Sequence, residues 1–88
     1  MSVMRRAPRR TTGKRPPRDP RQDVLRKLGE RVRALRHERG LTQEALADSL
    51  DLSIAYVSLI ERGGRNPPYT TVVALALALG VSPRDICE

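Results

Sequence analysis

Residues 42–61 read T-Q-E-A-L-A-D-S-L-D-L-S-I-A-Y-V-S-L-I-E, two short helix patterns meeting at Asp51-Leu52-Ser53, and no other stretch limits the fold so tightly. Thr42 is placed to cap the first helix, because its hydroxyl accepts an otherwise orphaned backbone N–H, and Glu44 complements the positive end of the helix dipole. Leu46, Ala47 and Leu50 recur at helical spacing and make one face apolar. Ser53 caps the second helix, whose Val57 and Ile60 lie three apart on an inner face. Ile54, Ala55, Tyr56, Ser58, Leu59 and Arg62 are then left facing away from the core. Two helices of about eight residues joined by so short a turn cross steeply, so the first supports and presents the second. A helix held proud of its domain fits the major groove of B-DNA.

Eighty-eight residues make one small domain whose burial is only marginally sufficient. Two residues are aromatic, Tyr56 and Tyr69, so the core has to be built from Leu, Val, Ile and Ala. Cys87 is the single cysteine and His37 the single histidine, which excludes an internal disulfide and a Cys/His zinc cluster. No metal, cofactor or small-molecule ligand is expected, and the composition suits a reducing cytoplasm.

The net charge of +7 is confined to one end. Residues 1–22 hold eight basic side chains (Arg5, Arg6, Arg9, Arg10, Lys14, Arg15, Arg18 and Arg21) against the single acid Asp19, while residues 23–88 balance nine against nine. With Pro8, Pro16, Pro17 and Pro20 among the arginines and almost nothing apolar after Met4, this segment is expected to be a disordered tail. It lacks the apolar run of a signal peptide or a membrane span, and its prolines discourage an amphipathic presequence helix. Its functional reading is a basic arm on DNA phosphates. The bland alternatives are a solubilising tail, or a start codon placed too early with Met4 as another start.

The domain proper is expected to begin with Asp23 as a cap, followed by a helix in which Val24, Leu25, Leu28, Val32 and Leu35 keep 3-4 spacing. Gly29 weakens that helix by about 1 kcal/mol relative to alanine. Gly40 ends it, after Arg36, His37 and Arg39 in the last turn. Gly63 is a natural left-handed cap after Arg62, and Gly64-Arg65-Asn66-Pro67-Pro68 has turn composition, with Arg62, Arg65 and Asn66 as donors to phosphate oxygens. Residues 70–79, T-T-V-V-A-L-A-L-A-L, are expected to be helical and offer so little to water that homodimerisation is the preferred cover, with burial inside the monomer as the alternative. Ser82-Pro83-Arg84-Asp85 opens a short last helix through Ile86.

From Leu28 to Ile86 the chain resembles the Xre/Cro, or phage-repressor, type of helix-turn-helix domain. L-G-E-R-V-R-A-L-R-H-E-R-G-L-T-Q-E-A-L-A, Y-V-S-L-I-E-R-G-G-R-N-P and A-L-A-L-G-V-S-P match that family's pattern in order and spacing. The resemblance implies an all-α, compact five-helix bundle with the third helix in the major groove, usually as a dimer on a two-fold operator. It implies that Gln43 binds a phosphate and braces the recognition helix, that Ile54, Ala55 and Ser58 read base edges, and that Tyr56 touches the backbone. Arg36 and Glu61 match a buried structural ion pair. Three departures are visible: Asp51 replaces the usual turn glycine, Ile54 and Ala55 replace hydrogen-bonding readout residues, and Ala74 and Leu77 stand where lysine is common.

The leading expectation is sequence-specific binding of double-stranded DNA by a small dimeric regulator of transcription, cytoplasmic and associated with the nucleoid. Ser53, Ile54, Ala55, Tyr56, Ser58 and Leu59 would meet the groove; Thr42, Gln43, Arg62, Arg65 and Asn66 would meet phosphates; Ala74, Leu77 and Ile86 would face the partner. Controllers of restriction-modification operons, phage repressors and antitoxin-type autoregulators share this size and pattern. The alternative is a protein-interaction module using the apolar face of the second motif helix and of helix 70–79. An enzyme is not expected: pairing Ser58 or Cys87 with His37 leaves no third orienting residue and no phosphate-binding glycine loop.

Overall fold

The computed structural model describes residues 19–87, which form five helices and, among those residues, no strand. They are α1 (Pro20–Glu38), α2 (Gln43–Leu50), α3 (Ile54–Glu61), α4 (Tyr69–Leu79) and α5 (Pro83–Cys87). The disordered arm expected at the start lies, for residues 1–18, outside the described residues; residues 19–22 belong to the first helix and its cap.

That helix starts four residues before the expected position. Asp19, not Asp23, is the cap, its carboxylate accepting the Arg21 N–H at 2.9 Å, and Pro20 occupies the first turn. A proline read as part of the tail is thus at the one helical position where its missing N–H costs nothing. The Arg21 side chain and then its backbone N–H, both donating to Asp19, hold that carboxyl below its ordinary pKa. Val24 was expected on the buried face, yet it is 62% exposed, because the first turns of α1 project beyond the body and burial begins at Leu28.

Four helices end in the same way. Gly40, Asp51, Gly63 and Gly80 adopt left-handed backbone, with φ of 68°, 56°, 76° and 74°. In each case that residue donates back three positions and the next residue donates back five: Leu41 to Arg36, Leu52 to Ala47, Gly64 to Leu59 and Val81 to Ala76, all within 3.0 Å. This pattern satisfies the last carbonyls of each helix, and its usual apolar contact is present, since Leu41, Leu52 and Val81 pack against the core. Asp51, which replaces the usual turn glycine, is thus itself left-handed, and its short polar side chain is the kind that tolerates the conformation.

The core draws Leu28, Val32 and Leu35 from α1, Leu46 and Ala47 from α2, Val57 and Ile60 from α3, and Ile86 from α5. Each fully buried Leu, Ile or Val contributes about 1.5–3 kcal/mol. From α4 come Val72, Leu75, Ala76 and Leu79, the i, i+3, i+4, i+7 stripe of an amphipathic helix. The opposite side of α4 keeps Tyr69 and Leu77 exposed and Val73 and Ala74 half-buried, so this chain covers only part of a helix that is apolar all round. Ile86 corrects an expectation: it is 1% exposed, sealed into the core from α5, and offers nothing to a partner surface. The Asp85 side chain accepts from both the N–H and the hydroxyl of Ser82, and Arg31 of α1 donates to the Asp85 carbonyl at 2.8 Å. Those bonds fix α5 so that Ile86 points inward.

Gly29 sets the approach of α1 to α3. A Cβ at this position would sit 2.5 Å from the carbonyl oxygen of Glu61 and still closer to that of Ile60. The residue read from sequence as a tolerated weakness in the helix is therefore the contact point at which the two backbones cross.

Candidate nucleic-acid interface

α3 is short, and its two sides differ sharply. Val57, Ile60 and Glu61 are buried, whereas Ser53, Ile54 and Ala55 are exposed and Tyr56, Ser58 and Leu59 are partly so. Ile54 is 46% exposed at the start of the helix. The Ser53 hydroxyl accepts the Tyr56 N–H at 3.1 Å, so it begins the helix as expected and still has a proton to donate. Thr42 performs the same task for α2, accepting the Ala45 N–H at 2.9 Å.

What holds α3 from behind is a buried polar network. Arg36 of α1 binds Glu61 with two bonds, Nε to Oε2 at 2.7 Å and Nη2 to Oε1 at 3.1 Å, and its Nη1 donates to the Leu41 carbonyl at 2.8 Å. The ion pair inferred from family resemblance is thus present, with side-chain exposures of 9% and 3%. Glu61 Oε1 also accepts from Gln43 Nε2 at 3.1 Å. One carboxylate therefore fastens three segments: α1, the start of α2 and the end of α3. Such a network contributes more to specifying geometry than to net stability.

The Gln43–Glu61 bond has a geometrical consequence. It brings the first turn of α2 beside the last turn of α3, so Thr42 and Gln43 approach the end of α3 from which Arg62, Arg65 and Asn66 extend. Donors separated by about twenty residues in sequence converge on one margin of the exposed helix. Arg62, Arg65 and Asn66 are all exposed. Arg62 Nε makes a long 3.4 Å bond to the Ser58 carbonyl, and the Arg65 guanidinium lies over the Tyr56 ring, 5.5 Å from its centroid. That separation permits a cation–π attraction of about 0.5–1 kcal/mol at an exposed site. Tyr56, expected to touch the DNA backbone, is here the ring against which the loop arginine lies.

Sequence reasoning missed one arrangement, the close approach at Gly29, and left the partner of Gln43 unnamed. Gly29 carried a signal, a glycine inside a strongly periodic helix, which often marks a close packing contact. The resemblance implies Gln43 as a brace for the recognition helix, but its partner, Glu61, carried no signal, because a glutamine at a helix start is compatible with many partners. His37 and Cys87, weighed as reactive groups, sit exposed near the ends of α1 and α5. Among the described residues no group of three or more His, Cys, Asp or Glu is placed to hold a metal ion, and no helix is long and apolar enough to cross a membrane.

Comparison with known proteins places this geometry among relatives. The family model described as "Helix-turn-helix domain" matches residues 27–86. The chain is similar to the HTH-type transcriptional regulator DdrOP3 of Deinococcus deserti, at 42% identity over 62 residues, 70% of this chain and 48% of that protein. It thus spans about half the length of that relative. In structure it resembles the restriction-modification controller protein C.AhdI from Aeromonas hydrophila, with a TM-score of 0.68 and 44% identity over 70% of this chain and 94% of that one. It also resembles the master regulator for biofilm formation SinR, solved in complex with DNA, with a TM-score of 0.66 and 27% identity over 69% of this chain and 98% of that one. These matches support a DNA-binding regulator over the protein-interaction module.

Proposed function

This chain belongs to the Xre/Cro type of the helix-turn-helix domain family, and from that membership we infer a sequence-specific, double-stranded DNA-binding regulator of transcription that acts as a homodimer with α3 in the major groove. The observation that carries the reading is the division of α3: its inner side is locked to α1 and α2 through Val57, Ile60 and Glu61, while Ser53, Ile54, Ala55 and Ser58 look outward. Ile54 and Ala55 have no side-chain donor or acceptor, so their natural partners in the groove are thymine methyl groups. The operator is accordingly rich in A·T at the positions these two residues face, with DNA shape supplying further selectivity. Thr42, Gln43, Arg62, Arg65 and Asn66 contact the phosphates on either side and set the register. The reading involves no catalytic step, and it makes the protein a cytoplasmic one, bound to the nucleoid.

The dimer rests on α4. Tyr69, Val73 and Leu77 follow one another at i, i+4 and i+8, with Ala74 alongside, and Leu77 is 74% exposed. Pairing α4 with a second copy removes this stripe from water and presents two α3 helices to half-sites about 34 Å apart. Each Leu77 so buried contributes about 1.5–3 kcal/mol. Leu77→Asp is therefore expected to sediment as a monomer at concentrations where the wild-type chain is a dimer, and to bind a two-fold operator about 100-fold more weakly through lost avidity. A Leu77→Asp chain that remains dimeric would remove α4 from the interface. Selection of binding sites from random duplexes tests the DNA reading itself, with a two-fold symmetric motif as the expected product.

A further inference from the structure

We propose that Tyr56 is a positioning residue, whose ring holds the Arg65 side chain ready for a phosphate, so that α3 orders a loop contact before DNA arrives; the inference rests on the DNA reading above. The ring is itself held. Tyr56 is partly buried and packs against the core, and its N–H donates to the Ser53 hydroxyl at 3.1 Å. It therefore offers a fixed surface beside the loop. The backbone on either side of Arg65 is anchored as well. Gly64 donates to the Leu59 carbonyl at 2.8 Å, Pro67 is buried and Pro68 caps α4.

The Arg65 side chain has no such anchors of its own. It is exposed, and among the described residues its guanidinium has no hydrogen bond or ion pair; the Tyr56 ring, 5.5 Å from the guanidinium carbon to its centroid, is the partner it has. Arginine carries several rotatable bonds, and ordering them at the moment of binding costs affinity. Attraction of the cation to the ring face acts through charge, so it consumes none of the five N–H donors that a phosphate would accept. The contact thus restricts the side chain without using up what the phosphate needs. Because a phosphate contact carries no base readout, Tyr56 acting through Arg65 raises affinity for every duplex alike.

The test is a double-mutant cycle in the full chain, with Tyr56→Leu, Arg65→Gln and the two combined, and Tyr56→Phe alongside. Affinity is measured for a selected operator and for a random duplex, and the coupling is expected on both. Tyr56→Leu should weaken binding by about 2- to 5-fold for each protomer engaged, about 4- to 25-fold for a dimer. Once Arg65 is glutamine, the same change should cost less than about 2-fold. Tyr56→Phe keeps the ring and should stay within about 2-fold of wild type. In the free protein, the Arg65 side-chain N–H resonance should be shifted upfield by the ring current in the wild-type and Tyr56→Phe chains, and the shift should vanish in Tyr56→Leu. A loss as large in Tyr56→Phe as in Tyr56→Leu would mean that the hydroxyl meets DNA itself, and an equal loss with and without Arg65 would mean that the ring acts alone. Either result overturns the proposal, as does an unshifted Arg65 resonance in the wild-type chain, a measurement that needs no variant to fold. If the wild-type chain does not distinguish operator from random duplex, the failure lies with the recognition-helix reading, and coupling on the random duplex still decides the role of Tyr56.

Discussion

Gly29→Ala is expected to lower the melting temperature by roughly 12–24 °C, the equivalent of about 3 kcal/mol in a domain of this size. Helix propensity alone argues the opposite, since alanine is favoured over glycine by about 1 kcal/mol in a helix interior. The obstacle is backbone: the added methyl would meet the carbonyl oxygens of Ile60 and Glu61, which close the last turn of α3 and have no rotamer to escape into. Relief requires moving α3 away from α1, which breaks the seat of Glu61 on Arg36 and shifts the exposed helix. Melting followed by circular dichroism decides the matter, and a melting temperature that rises would show that the two backbones do not cross here.

Glu61→Ala has a comparable cost for a different reason. It leaves the Arg36 guanidinium buried without its carboxylate, and breaking one half of a buried pair typically costs about 3–5 kcal/mol. It also removes the acceptor that Gln43 uses. Stability and geometry are separable at this site. Replacing both partners, Arg36→Met with Glu61→Met, is expected to restore most of the lost stability in denaturant unfolding, because apolar side chains fill a buried space without desolvation cost. Operator affinity should not recover with it, since Leu41 then loses its donor on Arg36 of α1 and Gln43 its acceptor on Glu61 of α3. A double variant that regains full affinity would show that the network is dispensable for presenting the helix.

Much of this architecture is legible in the residues because it is encoded locally. Thr42 and Ser53 announce helix starts, Gly40, Gly63 and Gly80 announce stops, and the spacing of Leu46, Ala47, Val57 and Ile60 assigns inner faces; each of these is a property of a few neighbouring residues. What was misjudged depends on contacts across the fold or on a choice between adjacent signals. Asp19 and Asp23 are both good caps, and Pro20 tips the balance to the first by fitting the opening turn. Ile86 reads equally well as core or interface until the bonds from Arg31 and Ser82 to Asp85 orient α5. The resemblance implies Gln43 as a brace, but its partner Glu61 appears only when residues eighteen apart are brought together. The inner face of α3 was legible because its positions are apolar at helical spacing.

Binding-site selection from random duplexes with the wild-type chain and with Ala55→Arg is the most direct test of α3 as the reading element. The wild-type chain should enrich a two-fold motif with A·T pairs facing Ile54 and Ala55. Arginine at position 55 can bond guanine through two donors, so the variant should change one symmetry-related pair of positions to G·C and leave the rest of the motif intact. Enrichment of no motif, or of the same motif by both chains, would contradict a recognition helix at Ile54–Glu61.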